Sequence, residues 1–166
     1  MSYDKKLNEL INADINNIED ETHELNNGKP IFSKSDYKVV EGEPQYYEPD
    51  EYGRSSGAIA LVSRNTMPLV IKKKLVYPEP YGWTEHIEKQ GIFERCHIIA
   101  YSLSAKIADK RNIFIGTEHL NISTMMKVEN RVKRHLNHHD VRILYKVTMK
   151  YKSKNQITTG ILIEAK

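Results

Sequence analysis

The sequence holds one cysteine, Cys96, among 166 residues, which excludes an internal disulfide framework and any four-thiolate zinc site. It lacks an apolar run approaching the roughly 18 residues that a membrane-spanning helix needs, and it has no internal repeat. The opening Met1-Ser2-Tyr3-Asp4-Lys5-Lys6 leads into a polar stretch and not into the apolar run of a signal peptide. No export signal is therefore legible, a mature form with its signal removed would read the same way, and location stays open. What is present suffices for a packed core. With 39% hydrophobic and 28% charged residues, the composition argues against wholesale disorder, and the length fits one ordinary domain.

Charge is distributed unevenly behind a modest total of +3. Residues 1–52 carry 13 acidic and 5 basic side chains, a net of −8, whereas residues 53–166 carry 20 basic and 9 acidic ones, a net of +11. A basic region behind an acidic leader is the electrostatic pattern of a nucleic-acid partner, because phosphates supply most sequence-independent affinity. A lysine-rich solvated surface gives the same count, so charge alone leaves both readings standing.

Hydrophobic spacing predicts the elements. Leu7, Leu10, Ile11, Ile15 and Ile18 recur at helical spacing, which predicts an acidic amphipathic helix over roughly 3–20 within a leader of residues 1–24. Residues 24–50, with Asn26-Asn27-Gly28-Lys29-Pro30, Gly42, Pro44 and Pro49, read as extended loop. Ala58-Ile59-Ala60-Leu61-Val62 has the length and composition of a buried strand. A basic, aromatic and proline-rich connection follows, from Lys72-Lys73-Lys74 to Trp83. Phe93 to Ala100 reads as extended or irregular chain, and Asn112 to Gly116 as a short strand. Residues 119–136 read as a helix with Met125, Val128, Val132 and Leu136 broadly on one face. Alternation in 141–148 and a strand over 156–165 predict a closing hairpin. The expected class is α+β, a central antiparallel sheet with one long helix.

Chemistry concentrates in Glu94-Arg95-Cys96-His97, followed by Asn112, Asn121 and Glu129. Phosphodiester hydrolysis near neutral pH needs a base for the attacking water, a cation beside the leaving oxygen, and donors for developing charge. Histidine suits the first role. Amide and carboxylate oxygens suit a hard cation such as Mg²⁺, and the arginine fork suits phosphate. Each residue also has an ordinary reading: an interior histidine, a turn asparagine, a helix cap, an exposed helical glutamate. His135, His138 and His139 could bind a transition metal at helical spacing, but no local Cys, Asp or Glu completes a set, which favours a dipole-stabilised cluster at a helix end. Cys96 adjoins His97, yet neighbours on an extended strand point to opposite faces, which disfavours a Cys–His nucleophilic pair. Tyr46, Tyr47, Tyr77, Tyr81 and Trp83 could stack on bases or close the rim of the core.

Taken together, residues 93–130 resemble the active-site region of the DNA/RNA non-specific endonucleases, most closely the bacterial DNA-entry-type branch. That family's ββα-metal finger carries Arg-(Gly/Cys/Ser)-His, an Asn closing a strand, a metal-binding Asn, and a Glu eight residues beyond. Here these fall on Arg95-Cys96-His97, Asn112, Asn121 and Glu129. At Glu94 the family more often has Asp or Asn. The likeness extends from about Asn26 through Tyr52-Gly53-Arg54 and Gly82-Trp83 to the final hairpin, leaving the leader outside a nuclease domain of residues 25–166.

The resemblance implies a sequence-non-specific, Mg²⁺-dependent endonuclease of DNA and RNA, with Mn²⁺ as a substitute, leaving 5′-phosphate ends. It implies His97 as general base, Asn121 as the direct ligand of the cation and Glu129 as holder of a metal-bound water. Asn112 would orient His97 or the phosphate, and Arg54 and Arg95 would contact phosphate. On a continuous α-helix eight residues rise about 12 Å, so Asn121 and Glu129 share an ion only if Asn121 lies at the helix start and Glu129 acts through water. Two other readings remain in view. One is a basic binding module that has kept this scaffold without turnover. The other is the same nuclease acting as a toxin, with residues 1–24 docking on an inhibitor or delivery protein.

Overall fold

The computed structural model describes residues 5, 6, 9, 22–72, 74–106 and 108–166. The helix expected over 3–20, and with it the leader of residues 1–24, falls almost wholly outside the described residues.

Four strands form an antiparallel sheet in the order β1-β2-β5-β6: β1 is Gln45–Tyr46, β2 Gly57–Val62, β5 Ile143–Tyr151 and β6 Thr158–Ala165. β2 runs against β5 with Ala60 opposite Tyr145, and β5 against β6 with Val147 opposite Ile163. Gly57 opens β2 at φ 150°, where a Cβ would collide with the carbonyl oxygen of Val147. A second sheet has two antiparallel strands, β3 (Phe93–His97) and β4 (Ile113–Thr117). The chain then enters a π-helical segment, His119–Met125, which continues as an α-helix, α3, over Met126–His138. β3, β4 and α3 form the expected strand–strand–helix unit. Two short helices, α1 (Glu85–Gln90) and α2 (Tyr101–Ser104), sit in the connections. The sequence reading did not include α1, although its ends are legible: the Thr84 hydroxyl caps the Ile87 N–H, and Gly91 closes it in the left-handed region.

The core lies between the four-stranded sheet and the β3–β4–α3 unit. Ala58, Ala60 and Val62 of β2 and Tyr145 and Val147 of β5 pack with Met125, Val132, Leu136, Ile98, Ile99 and Leu103. Period-two alternation in β5 leads one to expect a solvated second face, but Leu144 and Lys146 are buried too. Residues 31–39 cover that face. Val39 and Phe32 pack on Ile59 and Leu144, and Lys146 pairs with Asp36 at 3.0 Å, beside Glu164. Burying an ammonium requires such partners.

Candidate active site

β3 aims the first group. Strand alternation places Arg95 and His97 on one face and Cys96 on the other. Cys96 is fully buried in the core. Burial, reinforced by the nearby Glu94 charge, pushes its thiol up to about 12, so it offers no nucleophile beside His97.

His97 is 9% exposed and held at both ring nitrogens. Its Nε2–H donates to Glu129 Oε1 at 3.0 Å. A carboxylate only accepts, so Nε2 is the donor, and in the neutral ring Nδ1 is then the acceptor. The Tyr77 hydroxyl donates to that nitrogen at 3.3 Å. Glu129 is 4% exposed because it occupies the buried stripe of the helix together with Met125, Val132 and Leu136. An acidic residue at a core position of an amphipathic helix is a signal the sequence contained, since 125, 129, 132 and 136 are one face.

Asn112 lies just before β4 and is wholly buried. Its Oδ1 accepts from the Ile99 N–H at 2.8 Å and its Nδ2 donates to the Ile99 carbonyl at 3.0 Å. Its own carbonyl accepts from the Ile98 N–H at 2.7 Å, extending the β3–β4 ladder one step past His97. The carboxamide is thus committed to backbone two residues beyond His97, and it reaches the base only through the strand end it braces.

Asn121 sits half-buried within the π-helical segment, where its carbonyl accepts from the Met126 N–H five residues on. Such widened turns are frequent at functional sites. Among the described residues its side-chain carboxamide makes no hydrogen bond, in contrast to that of Asn112. Nor does any group of three or more His, Cys, Asp or Glu among them form a metal cage. The oxygens left without a hydrogen-bond partner at these two residues are therefore the Asn121 amide oxygen and the second carboxylate oxygen of Glu129, eight residues apart on the same helical run. Amide and carboxylate oxygens are the donor types that suit a hard cation that keeps most of its waters, as Mg²⁺ does. The His135 and His139 rings lie 4.3 Å apart, tilted by 33° and exposed at the end of α3, and belong to no such cage among the described residues.

The two arginines separate. Arg95 stays partly exposed on the His97 face, with Trp83 beneath its guanidinium at 5.3 Å and Glu79 at 3.9 Å. Arg54 is 7% exposed, and its fork is spent on other groups. Nε donates to Asp50 Oδ2 at 2.7 Å, and Nη1 to the carbonyls of Ser153 and Asn155 at 2.7 and 3.0 Å. Nη2 lies 2.7 Å from the same Asp50 oxygen, with the Tyr151 ring stacked at 4.3 Å. Arg54 ties the loop at residue 50 to the β5–β6 turn, in place of the open phosphate contact expected of it. Sequence reasoning named Tyr77 only as an aromatic that could stack on bases or close the core rim: its place at Nδ1 depends on the fold of the connection and has no local signature.

Residues 33–166 match the family described as DNA/RNA non-specific endonuclease. No curated protein matches the chain. Among solved structures, NucA from Streptococcus agalactiae with magnesium ion bound is similar at 23% identity and a TM-score of 0.67, over 86% of this chain and 71% of that one. Its form with no metal bound gives 22% identity and the same TM-score, over 86% and 72%. The Sda1 nuclease with bound zinc ion gives 23% and 0.61, over 74% of this chain and 67% of that one.

Proposed function

From the premise that the chain belongs to the DNA/RNA non-specific endonucleases, a family of nucleic-acid hydrolases, we propose that it cuts phosphodiester bonds with His97 as general base. The observation that carries this reading is the 3.0 Å contact between His97 Nε2 and Glu129, which leaves Nδ1 as the ring's acceptor, where the attacking water displaces the Tyr77 hydroxyl that lies 3.3 Å away.

In this mechanism Glu129 holds the imidazole in the productive tautomer and favours the imidazolium that forms when Nδ1 takes a proton from water. The resulting hydroxide attacks phosphorus. The bond to the 3′ oxygen breaks, that oxygen takes a proton from solvent, and the products end in 5′-phosphate and 3′-hydroxyl. Asn121, with Glu129 acting through a water, would hold Mg²⁺ or Mn²⁺, which supplies charge neutralisation at the leaving oxygen and polarises the phosphate. Arg95 meets phosphate from the same face of β3, its fork matched to two oxygens. Asn112 is a positioning residue that fixes the chain directly after the base. Recognition of phosphate and sugar alone makes cleavage indifferent to base sequence.

The test is digestion of plasmid DNA and of RNA with and without chelator. Cleavage should stop in excess chelator, and His97→Ala should lower kcat by about 10²–10⁴-fold, the usual contribution of a general base. Cutting that persists in chelator, or an unimpaired His97→Ala variant, would refute the mechanism.

A further inference from the structure

Between residues 69 and 76 the chain exposes four large aliphatic side chains among the described residues: Leu69 (104%), Val70 (75%), Ile71 (76%) and Val76 (75%). Contiguous exposed aliphatics are unusual on a soluble surface and mark contact sites. These are flanked by Lys72 and Lys74, both exposed. The segment is fastened at two points. The Lys72 ammonium lies 5.7 Å from the Tyr101 ring centroid, and Tyr77 donates to His97 Nδ1. Beyond Tyr77 the connection follows the outer face of β3, with Glu79 and Trp83 on Arg95. The exposed aliphatic and basic residues thus lie on a connection whose next residue, Tyr77, reaches the catalytic base.

We propose that residues 69–72 and 74–76 form a strap that engages duplex nucleic acid next to the scissile phosphate. Lys72 and Lys74 contact backbone phosphates, while Leu69, Val70 and Ile71 press against sugars and base edges, or between base steps, in the minor groove. Aliphatic wedges flanked by cations suit that groove, and contacts to sugar and phosphate read no sequence, in keeping with non-specific cleavage. The tie from Tyr77 to His97 sets this surface at the site and favours nucleic acid over an anionic lipid surface, which would have no need of it. The strap deepens the endonuclease reading and rests on it.

The experiment measures binding of a fluorescent 20-base-pair duplex to the full chain in excess chelator across a salt series, with a gel reporting whether the duplex stays intact. Leu69→Ser/Ile71→Ser should weaken binding about tenfold, as expected for losing partial burial of two aliphatic side chains, with the salt slope unchanged. Lys72→Ala/Lys74→Ala should lower the magnitude of the salt slope by about 1.8, close to 0.9 per phosphate contact. All four positions are on the surface, and an unchanged Tm for each variant verifies folding. Equal affinity and slope in parent and variants would overturn the strap, as would no binding by the parent. So would an apolar-tip effect seen only with phosphatidylglycerol vesicles. A duplex cut in chelator would instead refute the metal-dependent mechanism, and the strap would then be judged by the same comparison of KM.

Discussion

Asn112→Ala probes how the base is held. In the parent, one carboxamide satisfies both the N–H and the carbonyl of Ile99, and both residues are fully buried. Alanine removes both hydrogen bonds and leaves two buried backbone groups without partners. Each such group costs about 1–3 kcal/mol, so the variant should lose about 2–6 kcal/mol. That is a large share of the roughly 5–15 kcal/mol that holds a domain together. Urea unfolding should show a lower midpoint at an unchanged slope. Because Ile98 and Ile99 directly follow His97, kcat should fall about tenfold or more as the base loses its fixed position, while KM moves little. Asn112→Asp separates the two bonds. It keeps an acceptor for the Ile99 N–H but sets a carboxylate oxygen against the Ile99 carbonyl, so it should be no more stable than alanine. A loss below about 1 kcal/mol for Asn112→Ala would refute the reasoning, because it would mean that water or a backbone shift replaces the clamp.

Glu129→Gln keeps the shape of the His97 partner without its charge. It should reduce kcat by about 10²-fold, within the range for positioned acid–base groups, while Tm holds or rises because a desolvated charge is removed. A fully active Glu129→Gln would show that the carboxylate does not support the base. Arg54→Ala should destabilise by about 2–4 kcal/mol through loss of its charge-assisted bonds, with KM for short duplexes unchanged; a raised KM at parental stability would restore Arg54 as a phosphate contact. Burial by itself would raise the Asp50 carboxyl, but hydrogen bonds from the Arg54 fork and from the Arg54 and Tyr52 N–H groups outweigh it and hold the group below its ordinary 3.8. The folded value is the lower one, so this contribution is complete above about pH 4 and is lost as pH falls toward the folded value. Asp50→Asn should therefore flatten the fall of Tm below about pH 4, and an acid limb as steep as the parent's would contradict the assignment.

The amino-acid pattern was enough to determine the larger elements, β2, β4, β5, β6 and the long helix, and the side of β5 that faces the core. Ala58–Val62 read as a strand on its length and continuous apolar content, and alternation in 141–148 marked β5. The spacing of His97, Asn112, Asn121 and Glu129 named the reaction class through family resemblance. Those signals are local: periodicity reports which side of a segment leaves water and needs no knowledge of what lies opposite. Partner identity does not follow from it. Glu129 meets His97 across 32 residues, Asn112 finds Ile99 across 13, and the Arg54 fork closes on Ser153 across 99. The second face of β5 looked half solvated until residues 31–39 folded over it and buried Lys146 against Asp36. A polar side chain settles on whichever partner the packed chain brings within about 3 Å, and that choice is made by long-range packing. Tertiary structure alone therefore decided that Arg54 is a brace, that Asn112 clamps backbone, and that Tyr77 stands at the base.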